Sequence, residues 1–79
     1  MLIKIKKNYE VLVEKENVND VVMEATSNGI TNFRIGNCGW AKAPNCYFVA
    51  FYATRDQYIK TMENLNDKHV KILPESTGY

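Results

Sequence analysis

The residues able to do covalent or metal chemistry are few: Cys38, Cys46 and the single His69 are the soft nucleophiles and ligands of the chain. Structural zinc takes four ligands, so these three fall one short, and two cysteines are too few for a disulfide framework. Cys38 and Cys46 read as free thiols; a bridge stays open because they flank one loop and could face each other across a hairpin. A thiol–imidazole pair of either cysteine with His69 would need a third group to orient the ring, and the sequence supplies none. Paired carboxylates and a phosphate loop are missing too, and Glu63 and Asp67 read as solvated charges on a helix surface. We therefore expect no metal, no cofactor and no enzyme, which leaves the chemistry of recognition.

For recognition the first residue is Trp40, a large ring on a loop between Gly39 and Lys42 with little core to bury into. It reads either as a cover folded back over a hairpin, or as a base-stacking finger or protein hot spot, roles in which tryptophan is enriched. Arg34 and Lys42, with Lys4, Lys6 and Lys7, form either a basic patch or the charged protection usual on exposed strand edges. Ten Lys plus Arg against nine Asp plus Glu leave a formal charge of +1, so no whole-molecule field draws in a polyanion. Any nucleic-acid site has to be local.

These residues must be positioned by a small frame. At 79 residues, 46% hydrophobic and 24% charged, the chain holds one globular core and no second domain. Met1–Lys15 alternates with period two through Ile3, Ile5, Tyr9, Val11 and Val13, giving one long strand with a bulge at Lys7-Asn8, or a short strand before the main one. Asn17 caps a helix whose stripe is Val18, Val21, Val22 and Ala25, and Gly29 stops it. Ile30–Ile35 reads as the second strand, and residues 36–45, with two glycines and a proline, as a loop. Cys46–Ala53 is a central strand. Thr54 with Gln57 forms a capping box for a second helix striped by Tyr58, Ile59, Met62 and Leu65, ending at Asn66-Asp67. His69–Leu73 is the last strand; the domain is residues 1–73, and 74–79 a short polar tail.

The order predicts an α+β, ferredoxin-like βαββαβ sandwich: a four-stranded antiparallel sheet with both helices on one face and the other face open. Alternation puts Glu10, Leu12, Glu14, Asn32, Arg34, Cys46, Phe48, Ala50, His69, Lys71 and Leu73 on that open face. Phe48 is core if a dimer partner or the tail covers the face, and a ligand platform if not.

Asn45-Cys46-Tyr47-Phe48-Val49-Ala50-Phe51-Tyr52 resembles the third-strand ribonucleoprotein motif of RNA-recognition-motif domains, with Phe48, Val49 and Phe51 in register. Ala53–Asn66 is similar to the second helix of that family, including its Leu-Asn ending. The resemblance implies the same fold and single-stranded RNA stacked on rings of the third and first strands. Here Cys46 and Leu12 stand where two of those rings would be, Tyr47 replaces a small residue, and Phe48 alone carries over. Acylphosphatases share the strand order, but their glycine-rich phosphate loop with its arginine is missing near the first strand.

One ring contributes about 1–3 kcal/mol of stacking per base, too little without help, whereas an apolar centre with a charged rim suits a protein partner. We expect a small protein-binding inhibitor or adaptor that engages its target through Trp40, Phe48, Leu12 and the rim residues Arg34, Lys42 and Lys71. A chain this short, rich in Asn, Lys and Ile and without a catalytic set, resembles small phage or mobile-element proteins that inhibit a host or defence complex. The alternatives are a single-stranded RNA-binding domain, with Phe48 and Trp40 stacking and Arg34, Lys42 and Lys71 on phosphates, and a homodimeric small-molecule sensor. Met1–Lys7 lacks the unbroken apolar run of a signal peptide or spanning helix, so the expected compartment is the cytoplasm, with no membrane partner.

Overall fold

Alternate residues of a strand point to opposite faces, so one apolar parity is enough to define a core side. The computed structural model describes residues 5–73 and the backbone of 77–78. Its elements run β1 (Lys6–Glu14), a 3-10 turn (Lys15–Asn17), α1 (Val18–Ser27), β2 (Arg34–Asn37), β3 (Cys46–Thr54) and α2 (Arg55–Asp67). β1 and β3 pair antiparallel along their whole length, from Lys6 opposite Thr54 to Glu14 opposite Cys46. β2 pairs antiparallel with the other edge of β3, so β3 is central, as its apolar run predicts.

Tyr9, Val11 and Val13 of β1 and Val49, Phe51 and Ala53 of β3 share one core with Val21 and Ala25 of α1, Leu65 of α2, and Ile30. Both helices therefore cover the same sheet face. Its aromatic part is a cluster of four rings: Tyr9 stacks on Tyr58 at 4.0 Å, and Phe33 meets Phe51 edge-on at 6.0 Å. Burial in this cluster pushes the Tyr58 hydroxyl to a higher pKa, the Tyr9 phenol adding to the effect. Each fully buried side chain of this size is worth about 1.5–3 kcal/mol, which makes the helix face the main source of stability.

The helices are joined by a polar seam. Glu24 of α1 is 5% exposed; its carboxylate accepts from Lys68 Nζ at 2.7 Å, Asn64 Nδ2 at 2.8 Å and Ser27 Oγ at 3.2 Å. Asn28 Nδ2 donates to Thr61 Oγ1, and Gln57 Nε2 to the Asn28 carbonyl. A buried carboxylate survives only when its lone pairs are filled. The hydrogen bonds from Lys68 and Asn64 fill them, and hold Glu24 down at about 2 from an ordinary 4.5.

The α+β class stands, but the expected four-stranded sheet does not: among the described residues three strands of four or more residues make the sheet, in the order β2-β3-β1. A two-residue stretch, Thr77–Gly78, meets Tyr9 and Glu10 beyond β1 and is too short to be the expected fourth strand. His69–Leu73, assigned to that strand, is irregular. The physical reason lies at its start, where the chain finishes α2 instead of joining the sheet. His69 has φ 62, its N–H donates to the Asn66 carbonyl, and that of Val70 to the Leu65 carbonyl. Val70 and Ile72 still pack against the core, and the Leu73 N–H reaches the Leu12 carbonyl at 2.9 Å.

Three finer expectations also change. β1 has no bulge at Lys7-Asn8, since both residues keep register, with Ala53 and Tyr52; the extension through Met1–Lys4 lies outside the described residues. The second strand is Arg34–Asn37 and not Ile30–Ile35, because Asn32 adopts φ 63 and breaks the extended chain. Asn17 is the N-cap of α1, but its side chain makes no capping hydrogen bond, a 3-10 turn preceding it instead. Gly29, at φ 86, ends α1 as expected, and Thr54 and Gln57 form the full capping box of α2.

Candidate functional site

The loop between β2 and β3 is built by its own hydrogen bonds. The Cys38 N–H donates to the Cys46 carbonyl at 2.9 Å, carrying the β2–β3 ladder one residue beyond Asn37 and Tyr47. Asn37 braces the interior: its Nδ2 donates to the Pro44 carbonyl at 2.9 Å, and its Oδ1 accepts from the Gly39 N–H at 2.6 Å. Gly39 needs its φ of 76, a conformation glycine enters without steric cost. The Ala43 N–H then donates to the Trp40 carbonyl, and the Asn45 carbonyl accepts from the Lys15 N–H at the end of β1.

On this frame Trp40 is 43% exposed. It lines an open cleft of about 500 Å³ with Ala41, Lys42, Ala43 and Leu73. A second cleft of about 260 Å³ adjoins it through Ala43 and Leu73, and its wall includes Glu14, Cys46 and Lys71. Trp40, Lys42 and Lys71 are thus gathered around one pair of clefts, and Glu14 lines the same cleft as Lys71.

The sheet face away from the helices is a separate region. Phe48 stands at its centre between Gly36 on β2 and Leu12 on β1. The middle of this face is largely closed: Leu12 is 4% exposed, and Cys46 and Ala50 are buried as well. Leu12 consequently offers almost no surface to a partner, and Phe48 is half-buried. Arg34 is exposed and its guanidinium makes a loose 3.4 Å bond to Asn8 Oδ1 across β3, away from the Trp40 loop. His69 is exposed, and Asn32 falls outside the strands.

Sequence reasoning passed over Tyr52, 52% exposed, although the alternation that places Phe48 and Ala50 on this face also places Tyr52 there. It passed over Asn37 too, whose signal was an asparagine two residues before a glycine, the pattern of a side chain bonding its own backbone two residues on.

Both cysteines are free thiols. Burial pushes the Cys38 thiol up to about 12, and the neighbouring Cys46 thiol adds to the rise, so little of it is thiolate at neutral pH. Among the described residues no three His, Cys, Asp or Glu side chains gather to hold a metal ion, and no helix is long and apolar enough to cross a membrane. Comparison with protein-family models, curated proteins and solved structures finds no match to this chain.

Proposed function

We propose that this protein is a binding module whose target is another protein, engaged by the Trp40 loop. The observation that carries the reading is a half-exposed tryptophan on a loop fixed by hydrogen bonds at both ends, beside an apolar cleft shared with Leu73. A rigid aromatic anchor loses little conformational entropy on binding, and anchors of this kind carry most of the energy at protein interfaces. Lys42 and Lys71 at the cleft rims favour a partner surface with an apolar pocket flanked by carboxylates. The role is that of an inhibitor or adaptor of a larger complex, of the phage or mobile-element kind, and two free thiols fit a reducing cytoplasm.

The test is capture from host lysate by wild type and by Trp40→Ala, each with and without nuclease, followed by titration of the captured protein against both. The expected result is a defined protein retained after nuclease and bound at least tenfold more weakly by Trp40→Ala, since a hot-spot truncation costs about 2 kcal/mol or more. Equal binding by both chains overturns the reading. Loss of the captured protein on nuclease treatment moves it to RNA binding in the manner of the resembled RNA-recognition domains, a reading favoured by Tyr52 and Phe48 on one sheet face.

A further inference from the structure

We infer that Cys38 and Cys46 are a redox modification site, a facing pair of thiols that a small-molecule disulfide converts into an intrachain bridge closing the Trp40 loop. The inference is independent of what the loop binds.

The placement comes from the strand register. β2 and β3 pair through Asn37 opposite Tyr47, and the Cys38 N–H to Cys46 carbonyl bond continues that ladder, so the two cysteines are directly opposite. Their positions have the same parity as Gly36 and Phe48, which puts both side chains on the sheet face away from the helices. The bond between them makes this a hydrogen-bonded antiparallel pair, whose Cα atoms lie about 5.5 Å apart, within the span of about 4.4–6.8 Å that disulfides use. Cys46 is buried while Cys38 is partly exposed, so a reagent in solution meets Cys38 first. The Cys46 thiol is also near enough to raise the pKa of the Cys38 thiol.

The chemistry balances as two exchanges with a glutathione-class disulfide. The Cys38 thiol loses its proton and its sulfur attacks one reagent sulfur, breaking the reagent S–S bond and releasing one small thiol, which takes that proton. The Cys46 thiol then loses its proton and attacks the Cys38 sulfur of the mixed disulfide, expelling the second small thiol, which takes the proton. The protein gives up two hydrogens and two electrons, and the reagent accepts both. The high pKa of Cys38 leaves little thiolate at neutral pH, so the first exchange is slow and speeds up with rising pH.

The full chain is incubated with oxidised glutathione at pH 7 and pH 9 and followed by intact mass, with disulfide mapping after digestion. The expected product is a monomer lighter by two hydrogens with Cys38 joined to Cys46, formed faster at the higher pH. Cys46→Ala should instead stop at a Cys38–glutathione adduct, with circular dichroism confirming its fold. A stable glutathione adduct on the wild type, a disulfide-linked dimer, or no reaction while the denatured chain reacts each overturns the inference.

Discussion

Gly36 lies beneath the ring of Phe48: a Cβ at position 36 would stand 2.8 Å from Phe48 Cε2 and 2.9 Å from Cζ. Neither distance is tolerable, so the missing side chain on β2 is what lets the ring settle on the sheet, with Leu12 at its other flank. Gly36→Ala forces the ring to swing outward. The moving atoms are the free end of a half-buried side chain, so the cost should sit at the low end of the overpacking range of about 1–3 kcal/mol. Thermal unfolding checks it, with about 4–8 °C of Tm expected per kcal/mol in a domain of this size.

Glu24 makes stability depend on pH in a defined window. Its folded pKa of about 2 lies below the ordinary 4.5, so its contribution is complete above 4.5 and is lost as pH falls toward 2. Glu24→Gln removes the charge held by Lys68 and Asn64 but keeps the shape. The variant should be less stable than wild type by about 1–3 kcal/mol at pH 7, and the difference should vanish near pH 2. Urea unfolding at a series of pH values measures it, and a difference that stays constant with pH would refute the assignment.

Thr54 joins β3 to α2 by a reciprocal pair of bonds: the Gln57 N–H donates to Thr54 Oγ1 at 3.2 Å, and the Thr54 N–H to Gln57 Oε1 at 2.9 Å. Thr54→Ala should cost about 1 kcal/mol, read from the denaturant midpoint at unchanged m-value.

That capping box was legible in the sequence because all its partners lie within one turn. The same locality explains the correct reading of β3 as central, of Gly29 as a stop, and of the parity that puts Leu12, Phe48 and Ala50 on the face away from the helices. What could not be read depends on chain brought from elsewhere. Val70 and Ile72 alternate like a strand, yet His69 is spent on ending α2, and a strand needs hydrogen-bond partners that alternation does not reveal. Lys7 looked like a bulge only because it interrupts the apolar parity. In the structure it lies exposed near the outer end of β1 and keeps its register with Ala53. The Glu24 seam joins α1 to Asn64 and Lys68 of the α2 end, so nothing near Glu24 in sequence announces it. The openness assumed for the Phe48 face failed at Leu12, whose burial no periodicity encodes.

Asn37 offers a way to test the loop without touching the tryptophan. Its side chain accepts from the Gly39 N–H and donates to the Pro44 carbonyl, so it holds both shoulders of the Trp40 segment while lying outside both clefts. Asn37→Ala removes both bonds from an exposed site, where water replaces them, and stability should fall by about 1 kcal/mol or less. The loop itself should loosen. Because Trp40 is the chain's single tryptophan, acrylamide quenching of its fluorescence reports directly on that segment, and quenching should rise in the variant. If the rigidity of the anchor is what makes it bind, affinity for a captured partner should drop in the same variant, through the entropy of ordering a mobile loop. Unchanged quenching would mean that the remaining bonds, Ala43 N–H to the Trp40 carbonyl and Cys38 N–H to the Cys46 carbonyl, hold the loop without Asn37.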